Sequence, residues 1–165
     1  MGISGFNIVT VLIVSVLSWI IDRVSKLYIL ETLSLNPGDA VGVIPGVLTF
    51  VMTWNYGINF GMFASDGGMM KTILSLLALV VSIVLFIWAA RHPRDGIFAV
   101  AIGLVIGGAL GNGYDRQVYG AVADFLNVTC CGIDNPFAFN IADVTIFVGV
   151  AILLLRPSGE EQNDA

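Results

Sequence analysis

The stretch Phe139 to Leu155, FNIADVTIFVGVAILLL, decides the fold. Its apolar run reads as a membrane helix, yet Asp143 lies about one turn inside it. An ionised carboxylate at the centre of a span costs about 2.5–3.5 kcal/mol on insertion scales, so an acid there is expected to have a partner and a purpose.

Working outward, three further apolar runs appear: Phe6 to Ile21, Thr72 to Ala90, and Ile97 to Ala109. With 57% hydrophobic and 12% charged residues in 165 and a mean hydropathy of +0.92, the chain is too apolar for a soluble domain of this length. The fold class expected is a single integral membrane domain, an all-α bundle of four transmembrane helices with a small extracytoplasmic β-sheet platform. Spans are expected at roughly 6–28, 70–90, 96–114 and 139–156. The first and third apolar runs are short, so each helix should continue past its polar edge, through DRVSKLYIL and GNGYDR.

The loop RHPRDG carries Arg91 and Arg94, and the excess of basic residues on cytoplasmic loops puts it and both termini in the cytoplasm. Arg23, Lys26, Lys71 and Arg116 then fall on the opposite side. The net charge of −5 says little about partners, because Glu160, Glu161 and Asp164 sit in a polar tail, 157–165, expected to be disordered. MGISGFNIV has no basic n-region, and the run after it ends at Asp22 without a small-residue cleavage pattern. The first span is therefore expected to be retained. Cys130 and Cys131 are adjacent, which disfavours a bridge between them.

Between the first two spans, roughly 31–66, turn signals at Asn36-Pro37-Gly38-Asp39 and Pro45-Gly46 bracket β-favouring runs. From Val47 to Trp54 the chain alternates Val and Thr on one face with Leu, Phe, Met and Trp on the other. The large apolar face is expected to rest on the bilayer surface. A second loop, roughly 115–138, joins spans three and four on the same side and carries Asp124 in a strand-like run, AVADFL.

In the first span Ser15, Ser18, Asp22, Ser25 and Lys26 recur at three- and four-residue steps and form one polar stripe facing the bundle. Asp22 and Lys26 are an i,i+4 pair, which reads as an interfacial salt bridge of small value. In the third span Gly103, Gly107 and Gly111 form a small-xxx-small face for close helix packing. Beyond them Asn112, Asp115 and Arg116 cluster at the helix end, with Asp115 and Arg116 readable as an interface anchor.

Asp124 and Asp143 differ in having no cation within a helical turn in sequence. Facing each other near the membrane surface, they would share a proton through like-charge coupling and partial burial. One carboxylate then takes a proton from water while the other, protonated, polarises a carbonyl, which is peptide hydrolysis without a metal. Intramembrane acids equally mark the proton path of a small transporter or channel, although TILSLLALVVSIVLFIWAA in the second span has no ionisable group. A structural lipid-binding subunit would leave both acids without a role equal to their cost. His92, the single histidine, sits in the cytoplasmic loop, so neither a Ser-His triad nor an HExxH zinc site assembles. Ser25 and Lys26 project about 100° apart on a helix, a poor geometry for a dyad.

Four segments together carry a specific resemblance. They are DRVSK at the end of span one, NYGINFGMF at Asn55 to Phe63, GGALGNGYDRQVYGAVADFL at Gly107 to Leu126, and FNIADVTIFVGV at Phe139 to Val150. In this order and spacing the chain resembles lipoprotein signal peptidase, or signal peptidase II, a family of bacterial inner-membrane aspartic endopeptidases. The resemblance implies that Asp124 and Asp143 are the catalytic dyad. It implies that Asn55, Gly57, Asn112, Arg116 and Asn140 surround the substrate, and that Asp22, Lys26 and Asp115 are structural. It implies a diacylglyceryl-modified prolipoprotein as substrate, cleaved before the lipidated cysteine, surrounding membrane lipids, a monomer, no metal or other cofactor, no nucleic-acid partner, and sensitivity to globomycin-type cyclic peptides. The second motif departs from the family form at Ile58 and Asn59, where two small residues are usual.

Residue chemistry gives some of these positions a simpler reading too. Asn140 stands three residues before Asp143, as a helix cap would. Asn112 suits a turn or cap, Arg116 suits a headgroup anchor, and Trp19, Trp54 and Trp88 suit packing or interface positions.

Overall fold

A computed structural model of the protein describes residues 3–57, 67–91, 95–129 and 135–155. The expectations for Ile58, Asn59, His92, Arg94, Cys130, Cys131 and the 157–165 tail lie outside the described residues. Helix α1 runs Ile3–Leu27 and continues as one π turn, Tyr28–Thr32; α2 is Gly67–Arg91, α3 Gly96–Tyr119 and α4 Ile141–Leu155. Strands β1 (Ala40–Ile44), β2 (Leu48–Asn55) and β3 (Val122–Val128) form one antiparallel sheet in the order β1-β2-β3.

Among the described residues three helical segments are long and apolar enough to cross a membrane: Asn7–Thr32, Gly68–Arg91 and Gly96–Tyr119. The apolar helix α4, at 15 residues, is shorter. It spans about 22 Å at 1.5 Å per residue, against a hydrocarbon core of about 30 Å. Helix α3 is the axis of the bundle and packs against each of the other three. Asp95 caps its start by accepting the Phe98 N–H at 3.0 Å. Gly120, at φ +82°, ends it by donating to the Arg116 carbonyl. The helix thus runs on through Tyr119 where the sequence suggested an end near 114. By contrast, α2 leaves most of its apolar side chains exposed, Leu76, Leu77 and Val80 among them, as a helix bathed in lipid would.

The glycine stripe is the seam between α1 and α3. A Cβ on Gly107 would lie 2.5 Å from the Ser15 carbonyl oxygen, and one on Gly103 would lie 2.7 Å from Val14 Cβ. A Cβ on Gly111 would lie 2.8 Å from Asp22 Oδ2. The backbones approach so closely because the side chain is missing.

The sheet departs from the sequence reading in two ways. The platform is not one continuous segment, because β3 pairs with β2 after two intervening helices, with Trp54 opposite Ala123 and Thr53 opposite Asp124. The large face of β2 also does not lie on lipid. Met52 is fully buried, and Phe50 and Trp54 pack around it with Ile29, Ala123, Phe125 and Ile141. The π turn that prolongs α1 supplies Ile29 and so roofs that face with protein.

The ion pairs correct the sequence reading as well. Asp22, Lys26 and Asp115 are each wholly inaccessible, so Asp22 and Lys26 are no exposed interfacial pair. Lys26 Nζ lies 2.8 Å from both Asp22 Oδ2 and Asp115 Oδ2. Asp115 pairs with Lys26 and with Arg23 Nη1, and not with its sequence neighbour Arg116. Two acids and two cations, Asp22, Asp115, Arg23 and Lys26, thereby close a charge-balanced knot between α1 and α3. A buried pair of this kind adds little net stability, but removing one partner strands the other charge, at a cost of about 3–5 kcal/mol.

Two outcomes follow for thermal unfolding in detergent. Lys26→Met is expected to destabilise by about 3–5 kcal/mol; a loss below about 1 kcal/mol would mean the knot is solvated. Gly107→Val is expected to force α1 from α3 at a cost of at least about 1–3 kcal/mol, whereas an unchanged transition would mean the seam is loose.

Candidate active site

The site is assembled where α4 begins. Asn140 caps the helix: its Oδ1 accepts the Asp143 N–H at 3.0 Å, and Asp143 Oδ2 accepts the Asn140 N–H at 3.1 Å. This reciprocal capping box satisfies two of the free donors of the first turn. A third, the Ala142 N–H, is taken by Asp22 Oδ1 at 2.9 Å. The chain just before the cap is pinned to β3, since Leu126 and Phe139 exchange backbone hydrogen bonds at 2.8 and 3.0 Å.

Asn140 also reaches the other acid. Its Nδ2 donates to Asp124 Oδ1 at 2.6 Å and to Asn112 Oδ1 at 3.2 Å. Asn112 Nδ2 donates to Asp143 Oδ1 at 2.8 Å, while its Oδ1 accepts from Lys26 Nζ at 3.1 Å. The two acids, on β3 and on α4, are thus joined through one asparagine, and the buried knot reaches Asp143 through another. Asn55, at the end of β2, donates from Nδ2 to Asp124 Oδ2 at 2.9 Å. Its Oδ1 accepts the Gly57 N–H at 2.8 Å. Gly57 sits at φ +107°, a backbone conformation that calls for glycine, and a Cβ there would meet only the movable end of the Leu74 side chain.

Arg116 projects from the last turn of α3 and donates from Nη1 to the Asn112 carbonyl at 3.1 Å; among the described residues its buried Nε has no hydrogen-bond partner. Its charge acts on Asp124 and Asp143 through space. All the residues expected around the reaction therefore meet at one end of the bundle, with the structural trio directly beneath.

Burial pushes the Asp124 carboxyl up to about 6. The Asn55 hydrogen bond works against this, the nearby Asp143 charge adds to it, and Asn140 and Lys26 pull it down. Two cavities open onto the pair. Asp124 lines one of about 280 Å³ together with Trp54, Asn55, Gly57 and Phe137. Asp143 lines a second of about 360 Å³, otherwise walled by Phe139, Val144 and Phe147. One acid faces a mixed polar pocket, and the other an apolar groove along α4. Sequence reasoning missed Trp54 as a wall of the first pocket and Arg23 as part of the buried knot. No local signal was available for either, since the partner of Arg23 is 92 residues away.

Comparisons with known proteins agree over nearly the whole chain. The family model for Signal peptidase (SPase) II matches residues 14–157. A lipoprotein signal peptidase of Pseudomonas syringae pv. tomato is 41% identical over 94% of this chain and 89% of its own length. One of Alteromonas mediterranea is 39% identical over 86% of this chain and 76% of its own. A solved bacterial membrane enzyme superposes with a TM-score of 0.76 at 31% identity, covering 90% of this chain and 94% of its own. The chain belongs to the signal peptidase II family.

Proposed function

We propose that this protein is an aspartic endopeptidase that uses Asp124 and Asp143 to remove the signal peptide of a diacylglyceryl-modified prolipoprotein immediately before its lipidated cysteine. Membership of the signal peptidase II family makes it a peptidase of lipoprotein signal sequences, and its apolar helices make it a multi-pass membrane protein. The observation that carries the catalytic assignment is the Asn140 bridge, which bonds to an acid from β3 through its side chain and to an acid from the start of α4 through its backbone N–H.

In this mechanism one proton is shared by the dyad. Asp124, whose carboxyl stays protonated up to about 6 through burial, enters as the acid and polarises the scissile carbonyl. Asp143 takes a proton from the attacking water. The tetrahedral gem-diol then collapses as the departing amine is protonated, each proton transfer worth about 10²–10⁴ in rate. Asn55, Asn112 and Arg116 supply donors for the peptide and the developing oxyanion, while Asn140, both of whose amide N–H groups are taken, holds the dyad. The polar pocket at Asp124 suits the peptide around the cleavage point, while the apolar groove at Asp143 suits its lipid or signal helix, so remote binding orients the bond. The chemistry asks for no metal or organic cofactor.

The same reading makes α4 a fourth crossing of the bacterial inner membrane. Its exposed Phe147, Leu154 and Leu155 support this. An even number of crossings puts both termini on one side with the loop that carries Arg91 and Arg94, whose basic residues make that side the cytoplasm, with the dyad and the sheet near the extracytoplasmic face. The enzyme acts as a monomer among membrane lipids, and globomycin-type cyclic peptides should compete for the groove.

A gel-shift assay with purified protein, offering diacylglyceryl-modified and unmodified prolipoprotein, tests the assignment. Cleavage of the modified form alone is expected, falling by at least about 10² in both Asp124→Asn and Asp143→Asn. Full activity in either folded variant would remove that residue from the mechanism.

A pH effect on stability accompanies it. The ordinary aspartate value is about 3.9, and Asp124 is raised to about 6 when folded. Its protonated form is therefore favoured in the folded protein. The corresponding stability is present below about pH 4 and is lost as pH rises through 6. Asp124→Asn should accordingly be more stable than wild type at pH 8, by at most about 3 kcal/mol, with a smaller difference at pH 4. Thermal unfolding at the two pH values checks this, and a difference independent of pH would contradict it.

A further inference from the structure

Arg23 takes no part in the mechanism above, yet its guanidinium holds two branches that converge on the wall of the Asp124 pocket. On one branch Nη1 pairs with Asp115 Oδ1, and Asp115 Oδ2 accepts the Ala123 N–H at 3.4 Å. On the other, Nη2 donates to Tyr119 Oη at 3.0 Å. The Tyr119 ring in turn lies 5.6 Å from the Trp54 ring at an interplanar angle of 42°. Ala123 and Trp54 are partners across the β2–β3 ladder, and each immediately precedes a site residue, Asp124 and Asn55. Trp54 itself lines the pocket with both.

The guanidinium is also fitted between rings. Its carbon is 4.9 Å from the Tyr114 centroid and 5.5 Å from that of Tyr119, and Trp19 meets Tyr114 edge to face at 5.7 Å. Only a planar, multidentate cation can pair with a carboxylate, donate to a phenol and stack on aromatic faces at once; an ammonium carries the charge without the plane. Charge balance in the knot therefore accounts for a cation at position 23 but not for an arginine.

We propose that Arg23 is a positioning residue: through Asp115–Ala123 and Tyr119–Trp54 it sets the register and wall of the pocket in which Asp124 meets the peptide. The inference rests on the peptidase reading of that pocket. Its effect is on placement of the substrate against Asp124, where a displacement of about 1 Å costs up to about a hundredfold in rate.

The test uses the full chain in detergent or lipid with Trp19 and Trp88 replaced by Phe, so that Trp54 is the sole tryptophan and is excited selectively at the red edge, where tyrosine does not absorb. Arg23→Lys keeps the charge; Tyr119→Leu keeps the Arg23–Asp115 pair and removes the ring beneath Trp54. Both are expected to increase acrylamide quenching of Trp54 and to lower kcat/KM on the modified prolipoprotein by roughly ten- to a hundredfold, with thermal stability near that of the parent. Unchanged quenching and kinetics in the folded variants would overturn the proposal, as would a lowered melting temperature with neither readout altered. Altered quenching without a kinetic effect, or a kinetic effect without altered quenching, would overturn it too. Should Arg23→Lys fail to fold, Tyr119→Phe decides, because it keeps the ring against Trp54 and removes only the hydroxyl that Arg23 holds. Asp124→Asn in the same background separates the two ideas. Activity surviving there defeats the dyad, while Trp54 quenching still judges Arg23.

Discussion

An ammonium group can only donate, and in this protein that asymmetry orients everything above it. Lys26 Nζ sits between Asp22 and Asp115 with no solvent access, and its third contact is Asn112 Oδ1. The Asn112 amide is therefore fixed with its oxygen toward the lysine and its nitrogen toward Asp143. That same oxygen accepts Asn140 Nδ2, so Asn140 keeps its own oxygen for the Asp143 N–H. A donor-only group thus settles the orientation of two amides and of both acids they serve. Desolvating four charged groups gains the fold little. What it provides is a fixed orientation for the amides and carboxylates above it.

The placement of Asp143 follows from where α4 starts. Read from the sequence, the residue lies about a turn inside an apolar run. In the fold the run is divided, because Phe139 pairs with β3 and Asn140 is the cap, leaving Asp143 in the first turn. An acid there closes a capping box instead of interrupting a helix, and Asp22 reaches across from α1 to take another free N–H. The insertion cost expected for a mid-span carboxylate does not arise at a helix start built against a sheet. The shortness of α4 and the presence of an acid in it are one structural fact.

Much of the bundle was legible from local signals. Apolar runs located the helices, the Gly103–Gly107–Gly111 spacing located the α1–α3 seam, and the Ser15–Ser18–Asp22–Lys26 stripe identified the inward face of α1. Asp124 and Asp143 stood out because no cation lay near them in sequence, and they do meet in space through Asn140. Contacts whose two halves lie far apart along the chain were out of reach. The pairing of β2 with β3 spans two helices. The cover over Met52 comes from a π turn that periodicity does not announce. Asp115 and Arg116 read as one interface anchor because they are adjacent, but adjacent helical residues point about 100° apart, and Asp115 is buried with Arg23 and Lys26 while Arg116 reaches the Asn112 carbonyl.

Family membership decides between hydrolysis and transport, and the distribution of polar groups gives that decision a physical basis. The acids, the asparagines and the cations that orient them gather where α1, α3, α4 and the sheet meet, while the apolar run of α2 from Ile73 to Ile87 is interrupted only by the hydroxyls of Ser75 and Ser82. A proton path needs polar groups distributed along the bundle, whereas hydrolysis needs a single wet end and a dry means of holding the substrate. The two cavities divide in that manner, one polar at Asp124 and one apolar at Asp143. The polar pocket and the apolar groove meet at one end of the bundle, which suits hydrolysis of a lipoprotein's signal peptide better than a proton path through the bundle.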